Sequence, residues 1–557
     1  MKMTIKDLSR TRAAGESFVW FTSMGLAIGL CMVAFLIALI IVNGVVVFWP
    51  ARVVQVQLKE NSAARINNAP YFAGTVVKEQ AKAAAAVTGG GRMESQFFVG
   101  NKDQYGFTFK FVDSGDIVRT EEPPDILMVE RMEYGNAIGF AKSLEVKGQT
   151  ALPATDPQFQ GRLEQLVEEA AARRAEIRTT EKFKIGAINH EMEELHVREK
   201  MLQKSGTQGP ALTAALSEIH SRVDSLQADY ELLASRARDL RDKQEQDVFV
   251  YRIPTGEEVR VPTGRIVSFY YPNRLNLTQR LGLFFHRLWG FVSEEPREAN
   301  TEGGIFPAIF GTFVMTLLLS VAVTPFGVLA AIYLREYARQ GLFVRSVRIA
   351  VNNLAGVPSI VFGVFGLGFF VYFVGGTIDR LFFSQYLPTP TFGTGGILWA
   401  ALTLALMTVP VVIVATEESL AAVPRGVREG SLACGASKWQ TILRVVLPAS
   451  APGILTGLIL AMARGAGEVA PLMLVGVVKL APSLPIDGIY PYFHLDQKFM
   501  HLGFHIYDLG FQSPDSEAAK PMVFATTFFL ILLVVLLNLG AIVIRERLRR
   551  KYSTGAF

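Results

Sequence analysis

Long, almost uninterrupted apolar runs dominate the hydrophobic and polar pattern of this chain. The first covers residues 18–49 and is longer than the ~20 residues that cross a bilayer as a helix. It lacks a small-x-small cleavage site and ends in Phe48-Trp49-Pro50, so we interpret it as an uncleaved anchor and not as a signal peptide. Further runs of spanning length lie near 305–333, 350–374, 396–415, 452–478 and 524–544. The pattern therefore predicts about six transmembrane helices.

A different pattern fills the stretch between the first two runs, residues 50–303. Apolar residues step by four and three from Leu212 to Leu240, which predicts a helix with a heptad seam. A looser version of this spacing runs through 156–203, and turn-forming residues at 205–210 separate the two stretches. We therefore expect an antiparallel coiled-coil hairpin at about 156–247.

Alternating apolar and polar residues on both sides of the hairpin predict strands. The alternation is clear in 95–112 and again in 247–271, where Pro-Thr-Gly turns interrupt it. The predicted fold class is therefore an all-α polytopic membrane protein, with an inserted α+β domain that carries a helical hairpin.

Composition and charge place these parts relative to the membrane. The chain is 50% hydrophobic and 19% charged, which is too apolar for an ordinary soluble protein and too charged for one that lies wholly in the bilayer. Basic residues concentrate at the N-terminus, near 335–348 and 425–444, and in the tail. If the spans alternate, these segments share one side, and short segments rich in Arg and Lys stay in the cytoplasm. Both termini are thus predicted to be cytoplasmic, and 50–303 to lie in the periplasm of a double-membraned bacterium.

The predicted layout follows from these assignments. In chain order it consists of a cytoplasmic N-terminus (1–17), an anchor helix (18–49), a periplasmic domain (50–303), a five-helix membrane domain (304–545) with a cytoplasmic loop (416–451), and a basic cytoplasmic tail (546–557).

The cytoplasmic loop has a specific residue spacing. Glu429-Gly430-Ser431 is followed after three residues by Gly435, and after nine more by Val445-Val446-Leu447-Pro448. A short helix after Pro424 that is broken at Gly435, and a second helix that ends before Pro448, are the physical expectation. The loop is either a surface that a partner protein grips or an amphipathic connector.

Two ionisable residues lie inside the fifth apolar run. Arg464 and Glu468 occupy its middle, where each costs ~3 kcal/mol on insertion scales, so we expect them to face the bundle interior or an aqueous path. Spaced by four, they share a helix face and can pair. Either the pair locks helices together, or Arg464 meets an anionic substrate while Glu468 holds or gates its side chain, since a guanidinium matches tetrahedral oxyanions. Prolines inside the runs, among them Pro358 and Pro471, predict kinks or breaks in these helices.

The loop spacing E-G-S-x3-G-x9-V-x-L-P resembles the EAA loop of ABC-importer permeases, with Gly430 and Ser431 in place of two alanines. Arg464 to Pro471, "NNLAGVPSIVFGVFGLG" from Asn352 and "TEESLAAVP" from Thr416 are similar to the PstA family, permeases of the phosphate-specific importer. The resemblance covers 304 to the C-terminus. It implies an ABC type I importer permease fold in the bacterial inner membrane, with coupling to an ATPase through Glu429, Gly430, Ser431, Gly435, Leu447 and Pro448.

The same resemblance implies substrate and partners. The substrate is inorganic phosphate, passing Arg464 and Glu468. The partners are a PstC-type permease as heterodimer partner, PstB-type ATPase subunits and a PstS-type periplasmic phosphate-binding protein. No G-x4-G-K-[ST] stretch that cradles nucleotide phosphates occurs in the chain. We therefore expect no catalytic residue here, with ATP and Mg²⁺ bound by the ATPase, and no nucleic-acid partner.

Metal sites and two rival functions complete the expectations. His494, His501 and His505 invite a metal interpretation, but no cysteine or convincing carboxylate pattern accompanies them, so we predict no metal or cofactor in this chain. A permease for sulfate, molybdate or phosphonate shares the loop motif. A membrane-anchored sensor or scaffold would use the hairpin but leaves the loop and Arg464 without a purpose.

Overall fold

The computed structural model describes residues 16–81, 93–148, 150–204, 210–488, 490, 492–513 and 516–553. The basic N-terminus up to residue 15 and residues 205–209 of the hairpin turn predicted at 205–210 lie outside these ranges. The helices, in chain order, are α1 (Glu16–Val46), α2 (Lys102–Tyr105), α3 (Phe159–Arg178), α4 (Gly186–Lys204), α5 (Pro210–Gln244), α6 (Leu277–Ser293), α7 (Phe306–Ile332), α8 (Leu342–Leu354), α9 (Ser359–Phe365), α10 (Gly376–Phe382), α11 (Ile397–Ala422), α12 (Arg425–Ala433), α13 (Lys438–Thr441), α14 (Leu447–Gly467), α15 (Ala470–Val475), α16 (Leu502–Tyr507) and α17 (Ser516–Ser553).

The predicted number of spanning helices is confirmed. Within the described residues, six helical stretches are long and apolar enough to cross a membrane: Trp20–Val46, Phe306–Tyr337, Ser359–Phe382, Ile397–Ala422, Lys438–Gly467 and Ala519–Arg550. Wider π turns at Gly366–Gly375 and Ile442–Val446 join α-helical pieces within two of them, and a π turn at Tyr333–Tyr337 ends a third.

The third span differs from the prediction at its start. The sequence pattern began it at 350, whereas the structure begins it at Ser359, directly after Pro358. Residues Leu342–Leu354 form the separate helix α8. Proline restricts the residue before it to extended conformations, so a helix cannot run through Val357 into the span.

Close contacts between α7, α11 and α14 form the centre of the membrane domain. Their shared core includes Val323 of α7, Ala405 and Val412 of α11 and Ala461 of α14, all of them buried. Small residues bring the backbones together: a Cβ added at Gly327 would lie 2.6 Å from Val412, and one at Gly457 would lie 2.4 Å from Ala415. Such small-residue contacts are the usual basis of helix packing in lipid.

The α+β domain contains two antiparallel sheets. The strands are β1 (Val54–Leu58), β2 (Tyr71–Ala81), β3 (Met93–Phe98), β4 (Phe109–Asp113), β5 (Ile117–Glu121), β6 (Ile126–Arg131), β7 (Ala137–Glu145), β8 (Leu152–Pro153), β9 (Val248–Arg252), β10 (Glu258–Pro262) and β11 (Ile266–Tyr270). Their order is β4-β3-β2-β1-β5 in one sheet and β10-β9-β7-β6-β11 in the other, where β8 pairs with β7. Phe159, Leu163 and Leu166 of α3 pack on the second sheet against Phe249 and Tyr251.

A helical hairpin projects between β8 and β9, as predicted. Helices α3 and α4, joined by the π segment Thr179–Ile185, run antiparallel to α5. The seam residues Ile219, Leu226, Ala237 and Leu240 are buried. Ion pairs cross the hairpin from Glu191 to Arg222, from Glu176 to Arg236 and from Glu181 to Arg241.

The connection between the two domains is built from α6 and a two-stranded ribbon, β12 (Pro296–Arg297) and β13 (Glu302–Gly303). Asn276 starts α6 with a capping box to Gln279. The ring of Phe291, near the end of α6, lies 5.0 Å from that of Phe48 and 5.5 Å from that of Phe529 in α17. These contacts attach the α+β domain to the C-terminal end of the first membrane helix and to the N-terminal half of the last one.

Candidate transport and coupling sites

The fifth membrane crossing is broken, and the break carries the predicted Arg464 and Glu468. Helix α14 ends at Gly467, and α15 begins at Ala470. The apolar run at 452–478 is therefore not one continuous helix, in agreement with the kink or break that Pro471 predicts. The physical reason is Pro471, whose ring clashes with the carbonyl of the residue four positions earlier, which is Gly467.

The break lies halfway through the bundle. A Cβ added at Gly465 would lie 3.0 Å from Leu319, which is the middle residue of α7 (Phe306–Ile332). Beyond the break, α15 packs on α9, where a Cβ added at Gly363 would lie 2.7 Å from the Cα of Pro471. Irregular backbone at this depth is tolerated only when protein or a water-filled path surrounds it.

Arg464 and Glu468 form a loose ion pair across the end of α14. The Arg464 Nε lies 3.7 Å from the Glu468 Oε1, and their side chains are 36% and 20% exposed. Glu468 lies beyond the end of the helix and has an extended backbone. The prediction that the two residues lie on one helix face is therefore wrong. A separation of 3.7 Å is too long for a hydrogen bond, so the pair leaves guanidinium donors available to a ligand.

The cytoplasmic-type loop folds as two short helices around Gly435. The φ of Gly435 is +84°, a left-handed conformation that favours glycine after a helix. Ser437 then starts α13 with a capping box to Gln440. Leu447 begins α14 with Pro448 in its first turn, where proline is tolerated. The prediction that Pro448 ends the second helix is therefore wrong.

The motif residues of this loop divide into exposed and internal positions. Glu429, Gly430 and Gly435 are exposed, whereas Ser431 is half-buried, with its hydroxyl 3.0 Å from that of Thr441. Val427, Leu432, Trp439 and Leu443 add exposed apolar surface to the same loop. The face of α12 that contains Glu429 is therefore exposed.

A cluster that sequence reasoning missed holds the loop against the end of the first bundle helix. Arg428 donates to the carboxylate of Glu336 and to the carbonyl of Leu420. Lys438 donates to the backbone carbonyl of Glu336, and its ammonium lies 4.7 Å from the ring centre of Tyr337. The sequence signal for this cluster was the set of basic residues near 425–444, which we used above only to predict the orientation of the chain in the membrane.

A second missed contact lies beside this cluster. The Arg348 Nε of α8 lies 3.3 Å from the Glu417 Oε1 of α11. Glu417 belongs to the stretch "TEESLAAVP", which was one of the segments similar to the PstA family. Its contact with Arg348 holds α8 against α11.

The histidines proposed and rejected as metal ligands do not assemble. His494 Nε2 lies 2.8 Å from Asp487, while His501 and His505 are buried. Desolvation lowers the pKa of His501 to about 3 and that of His505 to about 4, so both are neutral. Among the residues that the structure describes, no group of three or more His, Cys, Asp or Glu side chains could hold a metal ion.

Six membrane-length helices, with a loop of this kind between the fourth and the fifth, define the class as a polytopic membrane permease. Residues 323–554 match the family model described as "Binding-protein-dependent transport system inner membrane component". The phosphate transport system permease protein PstA 1 of Mycobacterium tuberculosis (strain CDC 1551 / Oshkosh) is 34% identical over 48% of this chain and 77% of its own length.

Other relatives are matched over less of their length. The PstA of Yersinia pestis is 38% identical over 33% of this chain and 56% of its own length. The probable ABC transporter permease YqgH of Bacillus subtilis (strain 168) is 32% identical over 34% of this chain and 59% of its own length. The chain belongs to the PstA family of ABC-importer permeases and is a multi-pass inner-membrane transport subunit.

Proposed function

We propose that this chain is the PstA-type permease of an importer of inorganic phosphate. The observation that carries the proposal is the partly exposed Arg464, held loosely by Glu468 at a helix break halfway through the bundle. The relatives whose printed names contain phosphate transport support the choice of anion.

The chemistry of the pair fits an anion that must bind and leave again. A guanidinium offers a planar set of donors to the oxygens of phosphate. Glu468 lies close enough to orient Arg464 and to repel a fully charged anion, and repulsion weakens binding. A binding site on a transport path needs this balance, because a tightly held ion is not released.

The proposed partners follow the predicted orientation. Both termini and α12 lie in the cytoplasm, and the α+β domain lies in the periplasm. PstB-type ATPase subunits, which bind ATP and Mg²⁺, grip the exposed Glu429 face of α12. A PstC-type permease completes the path beside Arg464, and a PstS-type protein delivers phosphate from the periplasm. This chain acts as a non-catalytic subunit, and closure of the ATPases rocks its helices.

Phosphate uptake by the assembled transporter in proteoliposomes tests the proposal. We expect Arg464→Ala to lower uptake at least ~10-fold, because one charge-assisted contact is worth about 1.5–3 kcal/mol. Arg464→Lys should retain part of it. Arg198→Ala, at an exposed position on the hairpin, is the matched control and should change nothing.

The same vesicles separate the proposal from its rivals. Full uptake with Arg464→Ala would remove Arg464 from the mechanism. Competition by sulfate or molybdate as strong as that by unlabelled phosphate would favour a permease for another oxyanion. A stable native complex of this chain without any ATPase would favour a sensor or scaffold.

A further inference from the structure

Helix α6 presents an apolar stripe that no part of the described chain covers. Leu277, Leu281, Phe285 and Trp289 recur every four residues, and their exposed fractions run from 41% for Leu281 to 71% for Trp289. Residues at this spacing lie on one side of a helix. A stripe of four large apolar side chains is unusual on a surface that faces water.

A second side of α6 packs on membrane helices. Phe284 lies 6.1 Å, ring to ring, from Trp49 at the outer end of α1, and Phe291 contacts Phe48 and Phe529. Phe529 belongs to the membrane-length stretch Ala519–Arg550. The stripe therefore adjoins the end of one membrane-length helix and the side of another, where the surface of a bilayer is expected.

The polar side of α6 holds the α+β domain. Arg287 donates to the hydroxyl of Tyr270 at 2.6 Å, and its guanidinium also lies 4.8 Å from the centre of that ring. Arg280 donates to the carbonyl of Pro272. Residues 277–293 include no Asp or Glu, so the charge of the helix is opposite to that of lipid phosphates.

We propose that α6 is an interfacial helix, with the stripe Leu277, Leu281, Phe285 and Trp289 buried in the phospholipid leaflet on the side of the α+β domain. Apolar and aromatic residues on one face and basic residues on another are the features of helices that lie in the plane of a membrane. Through Arg280 and Arg287, the helix fixes the height of the α+β domain above the bilayer. The proposal does not depend on the transported anion.

Fluorescence quenching by brominated phospholipids tests the insertion. The assembled transporter is reconstituted in vesicles of phosphatidylethanolamine and phosphatidylglycerol, with brominated phosphatidylcholine added. The fluorescence of Trp289 is obtained by subtracting the emission spectrum of the Trp289→Phe variant from that of the wild type. We expect bromines near the headgroup to quench it at least 2-fold, and bromines near the end of the acyl chains to quench it less.

Two other results would overturn the proposal. Emission from Trp289 that aqueous iodide quenches and brominated lipid does not would place the stripe in water. Protection from both quenchers would mean that another protein subunit covers it.

A functional comparison uses a matched pair of substitutions. Phe285→Glu places a charge in the stripe, whereas Leu232→Glu changes a similarly exposed apolar residue on the hairpin. After reconstitution, the vesicles are isolated by flotation, and the transporter that they contain is assayed for uptake. We expect only Phe285→Glu to lower the amount of active transporter recovered in this way. Equal recovery and activity of the two variants would contradict insertion of the stripe.

Discussion

At the scale of single residues, several charged side chains of this protein contact partners that lie far away in the sequence. Glu336 follows the first bundle helix and Arg428 lies in α12, yet the structure joins them. Arg464 and Glu468 are close in sequence, but their geometry depends on a helix break. The positions of Arg428 and Arg464 therefore depend on tertiary contacts and on the helix break, and not on sequence spacing alone.

The Arg428–Glu336 contact is expected to transmit the motion of the ATPase to the bundle. Arg428→Glu should uncouple the transporter, because the two carboxylates repel each other and the loop is released from α7. ATP hydrolysis should continue while phosphate uptake falls at least ~10-fold, a change of ~1.4 kcal/mol or more. Both rates are measured in the same proteoliposomes.

The double variant Arg428→Glu with Glu336→Arg exchanges the two charges. If it restores uptake, the contact between the two residues matters, and not merely the presence of an arginine at position 428. Arg425→Glu, on an exposed position of the same helix, is the control for charge alone. An equal loss with Arg425→Glu would argue against a specific role of the pair.

Two glycines of the loop should respond in opposite directions to the same substitution. A Cβ at Gly430 would meet nothing within 4 Å, so Gly430→Ala should stabilise α12 by up to ~1 kcal/mol. Gly435 has a φ of +84°, so Gly435→Ala should destabilise the loop by about 1 kcal/mol. Hydrogen exchange of the loop amides measures both changes. The same sign for both would contradict the assigned conformations.

At the scale of elements, the broken fifth crossing depends on the fit of α15 against α9. A Cβ at Gly363 would lie 2.7 Å from the Cα of Pro471, whereas Gly368, in the same span, has open space around it. Gly363→Val should therefore destabilise the bundle by about 1–3 kcal/mol, as overpacking does, and Gly368→Val should not.

Thermal unfolding of the two valine variants in the same lipid gives the comparison. Phosphate uptake should fall for Gly363→Val in parallel with its stability, because Glu468 and Pro471 move together. Equal unfolding midpoints for both variants would show that α15 is free to move away from α9.

At the scale of the whole molecule, the junction between the two domains contains a carboxyl group with an altered pKa. Burial of Glu302, with Glu130 and Glu298 nearby, raises its pKa to about 7, although Arg297 and Arg131 oppose the shift. Between about pH 4.5 and pH 7, the folded state therefore holds a proton that the unfolded state has lost.

The junction should lose stability as pH rises from about 4.5 to about 7, by roughly 3 kcal/mol in all. Below this range Glu302 is protonated in both states and contributes nothing. Glu302→Gln should remove the loss, so that its unfolding midpoint exceeds that of the wild type at pH 8 and equals it at pH 4.5. Glu257→Gln, at an exposed position, should follow the wild type. An unchanged pH profile for Glu302→Gln would disprove the assignment.

The sequence alone determined the features that depend on local composition. Runs of apolar residues must leave water wherever they fold, so they predicted the membrane-length helices. The period of Leu212 to Leu240 predicted the hairpin, because a helix places residues at this spacing on one face. Short motifs were sufficient to indicate the family, which the comparisons then established.

Tertiary structure alone decided how these parts meet. Pro471 indicated a break in the sequence, but the packing of α15 on α9 beyond it was visible only in the structure. The pairing of Arg428 with Glu336 joins residues that are 92 positions apart. The exposed stripe of α6 became visible only when its neighbouring side was found packed on α1 and α17. The physical reason is that side-chain contacts between distant segments depend on the path of the whole backbone, which local hydrophobic patterns do not specify.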